Sequence, residues 1–277
     1  MSTLTIQCLH PGTGAFLTAP PRTGRAHLGI PRGGPADRFA AARANVLLQQ
    51  SPDHPCLELT HTPGRWLLSG WGQLAIAGAD MNLRLNGRLL ERQMVQYLDG
   101  DYLLAGTQGQ GGARLYLAVA GDWRAEFPLV ATPLKSGWSC AVEGAGEVPF
   151  AVDLEMERHR FSGEEPFALS VVAGPEWEET PTHVRRWLTG TVFTLSPQSS
   201  RQGWRLVAPA PPAGIRNTLL SSVVTPGTVQ LSPAGPIVLG PDAQTLGGYP
   251  RVLLLKEQRT LDRLYQCRPG VRVRFTF

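Results

Sequence analysis

The sequence predicts a mainly β protein with a few short helices, and three observations predict it. Glycine and proline, 31 and 24 of 277 residues, recur at short intervals and break the chain into short segments. The segments between them favour β-branched, leucine and aromatic residues, which fit a pleated surface. Only two stretches carry convincing helix start and stop signals.

Strands are expected at Trp66–Leu68, Gln73–Ala77, Ala113–Ala120, Phe167–Val172, Thr191–Ser196, Pro236–Leu239, Val252–Leu255 and Val271–Phe277. Several are continuous apolar runs, as strands covered on both faces are, in a barrel or in stacked sheets. The first helix runs from Asp37 to about Gln50, with Asp37 capping its free amides and Phe39, Ala42 and Val46 on one face. The second spans Thr180–Leu188, with Thr180 as cap, Pro181 at the first helical position and Gly190 as terminator. A short turn is expected around Thr260–Gln266. The acidic, glycine-containing stretch Glu143–Pro166 lacks a strand pattern and reads as the connection between two compact β units, residues 1–150 and 151–277.

Composition excludes several function classes. A chain of 277 residues buries a core without disulfides or metals. No stretch approaches the roughly 18 apolar residues that span a bilayer, and Met1 to His10 lacks the charged and apolar segments of a signal peptide, so a cytoplasmic protein without membrane contact is expected. Cys8, Cys56, Cys140 and Cys267 form no CxxC pair and read as reduced, mostly buried thiols. The six histidines show no HExxH or HxH, and no metal site is expected. Net charge is +4, with only Lys135 and Lys256 as lysines; the densest basic cluster, Arg185 and Arg186, reads as a solvated helix face, which argues against nucleic-acid binding. There is no GxxxxGK[ST] loop, no GxGxxG turn at Gly12 or Gly144, and no GxSxG elbow. Neither lysine is flanked by methionines as in a biotin attachment site, so biotin would have to arrive on another protein.

Three constellations carry chemistry. In Pro31-Arg32-Gly33-Gly34-Pro35-Ala36-Asp37, followed by Ala44-Asn45 and Glu58-Leu59-Thr60, a glycine path leads into a capped helix whose amino end attracts anions, with Arg32 beside it. A loop and cap without a ligand is the alternative. In Gly235 to Leu239 and Asp242 to Pro250, an apolar strand ends in a loop offering a carboxylate, an amide, a hydroxyl and a phenol at Asp242, Gln244, Thr245 and Tyr249. A structural turn with satisfied polar groups is the alternative. In Ser199 to Leu206, Arg201 and Arg205 flank Gly203, and an internal ion pair is the favoured reading.

Together these segments resemble one family, the allophanate hydrolase subunit 2 proteins, also called 5-oxoprolinase C subunits or KipA proteins, to which the urea amidolyase carboxyltransferase domain is related. The matching pieces occur in family order: Pro11-Gly12, Arg22 to Asp37, Ala44-Asn45, Leu57 to Thr60, Gly78 to Asp80, Asn86-Gly87, Arg114 to Gly121, Gly174-Pro175, Arg201 to Leu206, Gly227 to Gln230, Pro236 to Pro250, Gln266 and Pro269-Gly270. The resemblance implies two cyclophilin-like β-barrel halves and a partner subunit of the KipI or allophanate hydrolase subunit 1 type. It implies a subunit of a 5-oxoprolinase that, with a third LamB/YcsF-type subunit, uses ATP to open a small lactam or amide. A non-catalytic partner-binding module, and a biotin-dependent carboxyltransferase component acting on urea, are the alternatives.

Carried onto this sequence, the resemblance implies a site from Arg32, Asp37, Asn45, Glu58, Gln230, Asp242, Gln244, Thr245 and Tyr249. The loop from Asp242 to Tyr249 comes first, with Asp242 as acid/base or orienting carboxylate and Gln244 and Tyr249 as donors to an oxyanion. This reading requires the loop to face a cavity. Departures from the family pattern fall at Thr18-Ala19, Val130 to Leu134 (where relatives carry Gly-Ser-Arg-Ser-Thr), Ser222 and Ala243.

Overall fold

The computed structural model describes residues 3–92, 94–127, 131–144, 165–208, 211–215 and 219–277, in two compact units. The first comprises residues 1–21 and 37–160, the second residues 22–36 and 161–277. The expected connection at Glu143–Pro166 and a boundary at 150/151 fall largely within 145–164, outside the described residues. Residues 22–36 pack with the second unit, an excursion that the sequence reading did not foresee.

The first unit contains β1 (Thr3–His10), β2 (Ala15–Thr18), α1 (Arg38–Leu47), β3 (Cys56–Thr60), β4 (Arg65–Asp80), β5 (Arg84–Leu85), β6 (Arg88–Leu89), β7 (Gln96–Ala105), β8 (Gln110–Val119), β9 (Asp122–Trp123) and β10 (Ser139–Glu143). Its sheet runs β2-β3-β8-β4-β1-β10-β9, with β5 to β7 branching from it. The two expected strands Trp66–Leu68 and Gln73–Ala77 are one, the 16-residue β4, which pairs with β1, β7 and β8. Strand β8 shows why its sequence is continuously apolar. Leu115, Leu117 and Val119 join the main core, whereas Tyr116 and Ala118 join the cluster formed with α1.

Asp37 caps α1 as expected, its carboxylate accepting a hydrogen bond from the Ala40 amide at 3.0 Å. The buried face differs from expectation. Ala40, Ala41, Ala44 and Leu47 pack over Ala75, Ala77, Ala118 and Ala120, and Phe39 is 41 % exposed, under the Arg43 guanidinium. Small residues on both surfaces let the helix lie close to the sheet, which the bulk of Phe39 would prevent.

The second unit contains β11 (Phe167–Ala173), α2 (Thr182–Gly190), β12 (Phe193–Leu195), β13 (Gly203–Val207), β14 (Ser222–Val223), β15 (Thr228–Ser232), β16 (Gly235–Leu239), β17 (Leu246–Gly247), β18 (Arg251–Leu255), α3 (Gln258–Gln266) and β19 (Arg272–Thr276). Seven strands close a barrel in the order β11-β18-β15-β16-β13-β12-β19, sealed by the parallel pairing of β11 with β19. Strands β14 and β17 form a separate two-stranded ribbon. Pro181, not Thr180, caps α2, because its extended backbone (ψ 141°) precedes the first helical turn; the Thr180 hydroxyl donates to the Glu176 carbonyl instead. The chain is therefore mainly β, as read, and the turn expected around Thr260 is a full helix. No helix among the described residues is long and apolar enough to cross a membrane.

All four cysteines are buried and form no disulfide, and burial pushes the Cys56 thiol up to about 12, against the opposing contact of the Thr18 hydroxyl at 3.3 Å. The native protein at pH 8 is expected to consume essentially none of an aromatic disulfide reagent within minutes, and the urea-unfolded chain to consume four equivalents. Rapid reaction of the native protein would contradict the burial.

Candidate functional site

Strand β16 delivers the chain to the loop that the sequence singles out. At its end, Gly240 has room for no side chain: a Cβ there would lie 1.8 Å from the Tyr265 hydroxyl oxygen and 2.3 Å from the Arg201 carbonyl oxygen. The chain thus enters the loop against the Arg201 backbone. Asp242, 4 % exposed, accepts from Arg201 Nε at 2.6 Å and from Nη2 at 3.3 Å. The same Nη2 donates to the Gly34 carbonyl at 2.5 Å, and the Gly33 amide donates to the Pro241 carbonyl at 2.8 Å. The internal ion pair expected of Arg201 is therefore found, and it ties the loop carrying Arg32 to the Asp242 turn. Arg32 is half-buried, its carbonyl accepting from the Arg22 amide at 2.6 Å.

Beyond Asp242 the loop rests on one buried side chain. Gln230, 1 % exposed on β15, donates through Nε2 to the Tyr249 carbonyl at 3.2 Å and accepts from Gln244 Nε2 at 3.2 Å. Gly247 crosses directly over it, where a Cβ would stand 2.3 Å from Gln230 Nε2. Strand β17 pairs with β14, and the Thr245 carbonyl accepts from the Val224 amide at 3.0 Å. Gln244 is exposed and Tyr249 is 38 % exposed, so both present donors to the outside while Gln230 braces them from beneath.

Pro250, at the end of the bend, borders a small hollow. The hollow bordered by Leu231 and Pro250, with Val184, Leu219 and Glu176, measures about 20 Å³, room for a water molecule and not for a lactam. Next to it, Arg251 grips Glu176 with a fork, Nη2 to Oε1 at 2.6 Å and Nε to Oε2 at 3.0 Å, while its Nη1 donates to the Val223 carbonyl at 2.9 Å. The Arg251 hydrogen bonds hold the Glu176 carboxyl below the usual carboxylate range, against the opposing effect of burial.

A group with a lowered folded-state pKa contributes stability that is complete above its unfolded pKa, about 4.3 for glutamate, and lost as pH falls through the folded value. Arg251→Met is therefore expected to lower the urea midpoint near neutrality and to flatten its decline below about pH 4.3. An acid limb identical to that of the parent protein would refute the assignment.

The remaining expected residues, Asp37, Asn45 and Glu58, lie in the first unit, where Asp37 and Glu58 meet through Tyr116. Tyr116 accepts at its hydroxyl from the Asp37 amide at 2.7 Å and donates to Glu58 Oε2 at 3.0 Å, while Arg114 Nε donates to Glu58 Oε1 at 3.2 Å. Asp37 and Glu58 are fully buried, and burial followed by the Glu58 charge pushes the Tyr116 phenol well above its ordinary value. The network fixes the amino end of α1 to β3 and β8. Asn45, near the other end of the helix, donates to the His54 carbonyl at 2.7 Å and holds the connection into β3.

Sequence reasoning missed Tyr116, Arg114, Glu176 and Arg251. Arg114 and Tyr116 carried a usable signal: two residues apart in an apolar run they share a face, and a charge inside such a run implies a buried counter-charge. Glu176 and Arg251 carried none, since Glu176 lies in the turn after β11 and meets Arg251 on β18 only through the antiparallel pairing of those two strands.

Comparison with known proteins adds a second line. The family model described as carboxyltransferase domain, subdomain A and B, matches residues 28–277. The C subunit of 5-oxoprolinase from Escherichia coli (strain K12) is 30 % identical over 252 residues, covering 85 % of this chain and 79 % of that protein. Urea amidolyase of Lachancea kluyveri is 23 % identical over 301 residues, 95 % of this chain but 16 % of that much longer protein. Among solved structures, TTHA0988 superposes with a TM-score of 0.84 at 27 % identity over 99 % of this chain, which spans 56 % of it. The K. lactis urea amidolyase shares the fold, with a TM-score of 0.83 at 20 % identity, over 98 % of this chain and 18 % of that one.

Proposed function

Because the chain belongs to the family of the carboxyltransferase domain, subdomain A and B, we propose that it is a cytoplasmic subunit of an ATP-dependent 5-oxoprolinase-type amidohydrolase. It acts on a small lactam or amide beside a KipI-like partner and a LamB/YcsF-like subunit. The observation that carries this reading is the braced bend: Gln230, on β15, accepts from the Gln244 amide and holds the Tyr249 backbone carbonyl, leaving the exposed Tyr249 hydroxyl and the second Gln244 amide hydrogen as donors for a ligand. A lactam carbonyl turning into an oxyanion needs fixed donors of this kind. Asp242, committed to Arg201, serves as the orienting carboxylate and not as the proton carrier. Because the hollow beside the bend is too small for a lactam, a partner chain supplies the remaining wall of the pocket. ATP is used by the assembled complex, for which this chain carries no recognisable phosphate loop.

The test is 5-oxoproline-dependent ATP hydrolysis by this chain mixed with the two partner subunits. Activity that falls about a hundredfold in Tyr249→Phe or Gln244→Ala, with the fold intact, supports the oxyanion role. No turnover in a complete, co-purifying mixture rejects it in favour of a non-catalytic partner-binding module, a reading favoured by the locked Asp242 and the buried Ala243. Transfer of a labelled carboxyl group from a separate biotinylated carrier to urea would instead establish a carboxyltransferase component.

A further inference from the structure

The first unit holds a second feature that shares no residue with the bend, a cavity of about 570 Å³. Its walls include Leu17, Phe127, Leu134 and Trp138, and its polar border includes Glu126 and Lys135. This volume falls within the range of small-molecule sites, roughly 300 to 1,000 Å³, and the lining has their usual character, mostly carbon with a few polar groups.

The wall is built before any ligand arrives. The Leu134 amide donates to the Ala15 carbonyl, the Gly137 amide to the Cys8 carbonyl, and the Cys8 amide to the Trp138 carbonyl, each at 2.8 Å. Residues 134–138 are thus fastened to β1 and β2. Phe127, Leu134 and Trp138 pack on the core, and Trp138 meets Trp66 edge to face at 6.4 Å. Thr132, Pro133 and Leu134 also border the cavity.

Lys135 is one of only two lysines, is exposed, and makes no ion pair among the described residues. A lysine on the border of an apolar cavity suits a carboxylate whose carbon body lies inside. Glu126, on the same border, disfavours a second negative charge.

We propose that this cavity is a binding site for a small monocarboxylate with a flat aromatic or branched apolar body, its carboxylate held by Lys135. Isothermal titration of the full chain with 1-naphthaleneacetate, and with its neutral amide as control, tests this. The acid is expected to bind at least about tenfold more tightly than the amide, the effect of one charge-assisted contact of ~1.4 kcal/mol, and Lys135→Met to remove that difference. Homophthalate, a dicarboxylate, is expected to bind more weakly than the acid. Leu134→Trp, which fills the cavity, is expected to abolish binding. No binding of either probe, equal binding of acid and amide, or an acid preference unchanged in Lys135→Met would each overturn the proposal. Lys135 is exposed, so that last arm holds even if Leu134→Trp does not fold.

Discussion

Arg201→Ala is expected to destabilise the protein by about 3–5 kcal/mol, because it strands the Asp242 carboxylate in a site from which water is excluded. Asp242 is 4 % and Arg201 7 % exposed, so solvent cannot substitute for the lost partner. The Gly34 carbonyl loses its donor in the same step, which adds an unsatisfied acceptor and frees the loop carrying Arg32. Urea unfolding followed by fluorescence measures the effect. Replacing both partners, Arg201→Met with Asp242→Leu, is expected to recover most of the loss, since the cost lies in an isolated charge more than in the absence of the pair. A single variant within about 1 kcal/mol of the parent would mean that the pair is open to water.

Under the proposed function, Gly247→Ala is expected to lower 5-oxoproline-dependent turnover of the reconstituted complex by about a hundredfold, the scale of losing one oxyanion donor. The added methyl would stand 2.3 Å from Gln230 Nε2 and drive that side chain off both its partners, the Tyr249 carbonyl and the Gln244 amide. Stability is expected to fall by only about 1–3 kcal/mol, the ordinary cost of overpacking. Gln230→Ala is expected to match the loss in turnover, and the double variant to be no worse than either single change, because both act on one brace. Additive losses would show that Gly247 matters for some other reason. An undiminished rate in both single variants would remove the bend from the chemistry.

How much of this was legible in the sequence depended on the range of the interaction. Asp37 as a helix cap was readable because its partner, the Ala40 amide, lies three residues away. The crowding that requires glycine at 240 and 247 comes from Tyr265 and Gln230, far along the chain, and was not legible. The face of α1 was misjudged because periodicity weighs Phe39 above alanine, whereas contact with Ala75, Ala77, Ala118 and Ala120 rewards small size. Thr180 was misjudged because two residues compete for the start of α2, and the fixed φ of Pro181 lets it cap without a side-chain bond. Which partners Glu58 and Asp242 take was out of reach, although Arg114 and Arg201 each implied a counter-charge. They lie 56 and 41 residues away, and only the strand order of each unit brings them together.

The sealing of the second unit by β11 and β19 bears on how that unit is made. Phe167 lies beside Val273 and Ser170 beside Thr276, so the strand laid down first waits about a hundred residues for the neighbour that covers its edge. Such non-local pairing charges loop-closure entropy early and returns contacts late, which slows folding and leaves an unpaired apolar edge exposed on the nascent polypeptide. Slow folding of this half is expected from that order of pairing, and loss of residues 272–276 would leave a cylinder with an open seam.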